Sequence, residues 1–88
     1  MLEKQTKYVG ELVEKLKQDR DELRVKLHLA SKDVKEEWEV LDRKFLELKD
    51  NYKPAREAAG ESSKQVWEAL KLVGEELRDG YRKIRRSL

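Results

Sequence analysis

An all-α fold follows from three features of this 88-residue chain. Apolar residues recur at intervals of three and four almost from end to end. Acidic and basic side chains are interleaved between them. Helix breakers are scarce, with four glycines and one proline. Such intervals belong to a helix that buries one stripe, and a mean near 3.5 describes a coiled-coil seam. A strand would need alternation at period two. That occurs only at Val25, Leu27 and Leu29, which on a helix widen the stripe. The architecture predicted is a long helical hairpin, a single domain over 1–88, that self-associates as a coiled-coil bundle. Its helices run over about 4–57 and 63–86, with a turn near 52–62.

The charge pattern supports a folded helix over a disordered chain. Charged residues make up 45% of the sequence, yet 21 basic against 19 acidic side chains leave a net charge of only +2. Disordered chains carry one-sided or blocky charge and few large apolar residues, and neither holds here. The balance also argues against a nucleic-acid partner, because the first 50 residues hold 12 basic and 13 acidic side chains and form no positive stripe. No window approaches the roughly 20 apolar residues of a membrane span. The charged start, MLEKQTKYVGELVEKLK, is unlike a secretory signal. The absence of cysteine fits a reducing cytoplasm, the expected location.

The first helix opens with the stripe Val9, Leu12, Val13, Leu16, Leu23 and Leu27. Asp19 or Arg20 stands where a further apolar residue is due. From Val34 the steps alternate between four and three through Trp38, Leu41, Phe45, Leu48, Tyr52 and Ala55 to Ala59. Consecutive steps of four, as at Ala30, Val34 and Trp38, locally straighten a supercoil. Neither Gly nor Pro lies between Gly10 and Pro54, so one uninterrupted helix is allowed. Pro54 should end or kink it. Gly60 suits a C-terminal cap, and Ser62 with Gln65 has capping-box spacing. The reversal therefore falls either at Pro54 or at Gly60 to Ser62.

The second helix carries Trp67, Leu70, Gly74, Leu77, Tyr81, Ile84 and Leu88 in one stripe, with Val66 and Val73 beside it. Gly74 and Gly80 each cost about 1 kcal/mol of helix stability relative to Ala, which close approach of a neighbour would explain. Arg82, Lys83, Arg85 and Arg86 sit in the last turn, where positive charge opposes the helix dipole favourably.

Helices of these lengths would be about 80 Å and 36 Å long. The first half of the longer one would then lack an intramolecular partner for its apolar stripe. A homo-oligomer, with a dimer favoured, follows from that overhang. The rival architecture is a three-helix bundle broken near Ser31. The hairpin ranks first because residues 28–32 contain neither Gly nor Pro.

Gly60, Glu61, Trp67, Glu68, Leu70, Lys71, Glu75, Glu76 and Leu77 follow a long charged helix. This segment resembles the small bacterial coiled-coil proteins known as stress-response proteins. Pro54 and the basic C-terminus depart from that family's usual pattern. The resemblance implies a cytoplasmic, non-enzymatic helical protein connected with stress, and it supplies no catalytic residues.

No catalytic chemistry is legible. Ser31, Ser62, Ser63 and Ser87 lack a nearby His with an orienting partner, and there is no Cys. The one histidine, His28, has Arg24, Ser31, Lys32 and Lys35 as helical neighbours and reads as a solvated residue. Acidic groups such as Glu36, Glu37 and Glu39 alternate with bases and lack calcium-loop spacing. No cofactor and no metal site is expected. Function is therefore expected through self-association and contact with an unidentified protein partner. The contact residues would be Leu16, Leu23, Leu27, Val34, Trp38, Leu41, Phe45, Leu48, Val66, Leu70, Val73 and Leu77. The alternative is reversible binding to an anionic membrane through Trp67, Tyr81 and Ile84, aided by Arg82, Lys83, Arg85 and Arg86.

Overall fold

The computed structural model describes residues 2–58 and 64–88, with side chains from Lys4 onward. All of its regular structure is helical. Helix α1 spans Leu2–Lys26, a 3₁₀ turn covers Leu27–Leu29, α2 spans Lys32–Glu57 and α3 spans Lys64–Arg86. The expected helix over 4–57 is thus two helices, and the three-helix arrangement replaces the two-helix hairpin. The molecule is 43 Å along its longest axis, about half of what one such helix would require.

The break contains no glycine or proline and is marked by capping. Ala30 takes an extended conformation, with φ −82° and ψ 156°, and its N–H donates to the Leu27 carbonyl at 3.0 Å. Ser31 is the N-cap of α2: its hydroxyl accepts from the Val34 N–H at 3.3 Å. Asp33 adds negative charge in the first turn, where the helix dipole favours it. Stopping α1 here also gives its apolar stripe a partner inside the chain. Pro54 does not end α2. It lies inside the helix, which continues to Glu57, and its ring is on the exposed side. The Gly60 and Ser62 cap signals fall outside the described residues.

The helix directions follow from cross-helix contacts. Trp38 stacks on Tyr81 with centroids 5.5 Å apart, and Tyr52 meets Trp67 edge-on at 6.2 Å. Residue numbers rise on α2 as they fall on α3, so these two run antiparallel. On α1 they rise together with α3: Tyr8 faces Lys71 and Asp19 faces Arg85. The bundle is therefore up, down, up. Helix α3 packs along both others, while α1 and α2 touch each other more sparsely.

The core draws on all three helices. Val9, Leu12, Val13, Leu16 and Leu23 come from α1; Trp38, Phe45, Leu48 and Ala55 from α2; Trp67, Leu70, Leu77, Tyr81 and Ile84 from α3. The buried stripe of α3 is the heptad expected through Trp67, Gly74 and Tyr81. Its glycines admit neighbours. A Cβ on Gly74 would lie 2.6 Å from Leu12 Cδ2, and one on Gly80 would lie 2.6 Å from Leu41 Cδ2. Both values are below any ordinary carbon contact.

Candidate interaction site

The residues expected to join separate chains mostly face one another within this one. Leu16, Leu23, Trp38, Phe45, Leu48, Leu70 and Leu77 are buried, and Leu27, Val34, Leu41 and Val73 pack partly buried against them. Val66 is the exception, 41% exposed near the start of α3. The overhang that motivated a dimer is gone, since α1 lies along α3.

The second expected surface divides in two. Trp67, Tyr81 and Ile84 are at most 2% exposed, so they hold the bundle and offer nothing to a membrane. Arg82, Lys83, Arg85 and Arg86 stay exposed, but two of them are engaged. Lys83 pairs with Glu37 on α2. Arg85 reaches α1, meeting Asp19 at 3.4 Å and Glu22 at 3.1 Å. Asp19 is the acid found in the apolar seam. It is 7% exposed, and Lys15 also contacts it at 3.3 Å. A buried carboxylate needs such partners, because desolvating it unpaired costs several kcal/mol.

Tyr81 shows what burial does without a partner. Its hydroxyl has no hydrogen-bond partner among the described residues. Desolvation, reinforced by the nearby Asp42 carboxylate, pushes its pKa well above the ordinary phenol value. Arg20 shows the reverse. Its hydrogen bonds to Asp42 on α2 outweigh burial and hold the guanidinium even more firmly charged.

The end of the bundle that carries the 3₁₀ turn gathers different features. The C-terminal ends of α1 and α3 and the N-terminal end of α2 meet there. Val25 is 71% exposed, Leu29 78% and Leu88 45%. Val25 and Leu29 therefore do not widen the buried stripe as expected. Leu23 and Leu27 pack on the core, and Val25, two residues from each, falls on the opposite side of the helix. His28 stiffens this corner: its Nδ1–H donates to the Val25 carbonyl at 2.7 Å. The carbonyl only accepts, which fixes the proton on Nδ1. Arg24, Lys26 and Lys32 form a rim together with Arg82 and Arg86, none in an ion pair among the described residues. Asp21, Glu22 and Asp33 interrupt that rim. Sequence reasoning ranked a break near Ser31 below the uninterrupted helix. The signal available was Ser31 followed by Asp33, an N-cap with an acid in the first turn.

Among the described residues no helix is long and apolar enough to cross a membrane. Comparison of the chain with protein-family models, with curated proteins and with solved structures finds no match.

Proposed function

We propose that the protein is a non-enzymatic helical interaction module that self-associates through the corner formed by Val25 and Leu29. The observation that supports this most is the exposure of those two side chains on ordered helical backbone, 71% and 78%. Covering both would contribute about 3–5 kcal/mol. That is at the lower edge of what association costs in lost rigid-body freedom, roughly 4–15 kcal/mol. The surrounding charges must therefore take part. Their mixed signs suit a protein surface, a second copy above all, because Asp21 and Asp33 of one chain can meet Arg24 and Lys26 of another. The resemblance of residues 60–77 adds a connection with stress to this reading.

A second reading is supported by the unpaired cations of the rim. Arg24, Lys26, Lys32, Arg82 and Arg86 around an apolar corner would favour an anionic bilayer, with each cation near such a surface contributing about 1 kcal/mol. Sedimentation equilibrium at tens to hundreds of micromolar distinguishes the two, alongside co-sedimentation with phosphatidylglycerol vesicles. Self-association lost in the double variant Val25→Ser, Leu29→Ser is the expected result. A monomer throughout, with salt-sensitive vesicle binding, would select the membrane reading. A monomer that ignores vesicles refutes both.

A further inference from the structure

The sparse contact between α1 and α2 leaves a groove of about 520 Å³ along their seam. Its floor is apolar: Val13 and Phe45 are buried and Tyr52 is half-buried beside them. Its rim is cationic. Lys17 comes from α1, and Lys49, Lys53 and Arg56 come from one face of α2. Only Glu14 and Glu57 oppose them, so the lining carries a net charge of +2 from four bases and two acids.

These cations differ from those on the other seams. Between α2 and α3, Lys44 pairs with Glu76 and Lys83 with Glu37. Between α1 and α3, Arg85 pairs with Asp19. On the rim of the groove Lys17, Lys49, Lys53 and Arg56 have no ion pair among the described residues. Arg20, 5.1 Å from the centroid of the Phe45 ring, is already held by Asp42 and adds no unpaired charge to the groove. An apolar floor beneath unpaired positive charge is complementary to one chemical class.

We infer that the α1–α2 groove binds an amphipathic organic anion, a single apolar chain or ring that ends in a carboxylate, sulfonate or phosphate. The apolar body would lie on Val13, Phe45 and Tyr52. The head would accept hydrogen bonds from the Lys49 and Lys53 ammonium groups, with Arg56 and Lys17 at either side. The size argues for a small molecule over a helical peptide. Three turns of helix, about 16 Å long and about 10 Å across, occupy roughly 1,300 Å³, whereas the groove falls within the range of small-ligand sites, about 300–1,000 Å³. The groove lies on the long side of the bundle, away from the Val25 and Leu29 corner, so this inference does not depend on self-association.

The test is an amide chemical-shift titration of the ¹⁵N-labelled protein with monomeric dodecanoate, with dodecyltrimethylammonium and acetate as controls. Saturable shifts confined to the neighbourhood of Val13, Lys17, Phe45, Lys49 and Lys53, seen with dodecanoate alone, are expected. Higher salt should weaken them. Lys49→Gln combined with Lys53→Gln should reduce the affinity about five-fold while the circular dichroism stays unchanged, since both side chains are exposed. An equal response to the alkylammonium would overturn the assigned head-group chemistry. An equal response to acetate would overturn the role of the floor. No saturable shift with dodecanoate means that the lysine stems do no more than cover apolar surface, and the inference fails.

Discussion

Replacing Gly74 by Ala should destabilise this protein, although the same change in an open helix stabilises. Helix propensity alone favours Ala over Gly by about 1 kcal/mol. At position 74 the new methyl would lie 2.6 Å from Leu12 Cδ2, 3.2 Å from Leu12 Cγ and 3.9 Å from Leu16 Cδ1. Leu12 is itself only 7% exposed and packed in the core, so its δ-methyl can retreat only by displacing other core side chains. Overpacking of this kind costs about 1–3 kcal/mol. The two effects sum to a net loss of about 1 kcal/mol, with a range of about 0–2 kcal/mol. Urea unfolding followed by circular dichroism measures it. With a slope of about 1 kcal/mol per molar for a small domain, the midpoint should fall by about 1 M. The control is Leu12→Val, which removes the δ-carbons. In that background Gly74→Ala should be neutral or should raise the midpoint. A higher midpoint for Gly74→Ala in the unmodified chain, or the same shift in both backgrounds, would refute the packing of α1 on α3 described above.

Four further expectations can be checked in the same unfolding experiments. Ser31→Ala removes the hydroxyl that accepts from Val34 N–H and should cost about 1 kcal/mol; Ser31→Asp should restore the loss, and no loss would mean that the cap does not hold the break. Tyr81→Phe deletes a buried hydroxyl without a partner and should be neutral or stabilising by up to about 1 kcal/mol. Because the folded-state pKa of Tyr81 is raised, the native protein holds that proton more tightly than the unfolded chain does. The stability is complete below the unfolded value near 10 and declines above it by at most about 1.4 kcal/mol per pH unit, and Tyr81→Phe should flatten that decline in an alkaline titration of the midpoint. Arg85→Ala should cost about 1 kcal/mol, a modest figure because the guanidinium is half exposed and screened. Asp19→Leu should be neutral or stabilising in the same assay, because the apolar residue suits the buried position and the exposed Arg85 and Lys15 can return to water.

The helical class and α3 were legible because both rest on local signals. The spacing through Trp67, Leu70, Gly74, Leu77, Tyr81 and Ile84 matches the buried face of α3, and over the described residues its expected span, 63–86, agrees with Lys64–Arg86. Val66 lies outside the core of the single chain, and adjacent Val66 and Trp67 can each begin a three-four series. Which stripe is buried depends on where the neighbouring helices lie, and that is tertiary information. The break near Ser31 ranked below the hairpin for a related reason. It uses no breaker residue. Its capping hydrogen bond is worth only about 1 kcal/mol, too little to mark the position among many serines in helices. What stabilises the turn is the long-range burial of Val9, Leu12, Leu16 and Leu23 that it makes possible. A 3.5-residue period states that a stripe is buried. It does not state whether the covering helix belongs to the same chain.

Charge was harder to read than apolar spacing, and the two irregularities in the sequence show why. An acid in the seam at Asp19 and a run of bases from Arg82 to Arg86 looked like separate exceptions, one weakening the core and one suggesting an anionic partner. The parallel course of α1 and α3 brings Asp19 and Arg85 together across 66 positions of sequence, so part of the basic cluster is there to neutralise the acid in the seam. That removes Arg85 from any account of binding. It turns attention to bases that the fold leaves without acids. Those lie at the corner around Val25 and Leu29 and along the α1–α2 groove, where the sequence shows only evenly mixed charge. Even mixing along a helix says which residues are neighbours on its own surface. It says nothing about the facing helix, and the unpaired cations of Lys17, Lys49, Lys53 and Arg56 exist only as a property of two helices set side by side.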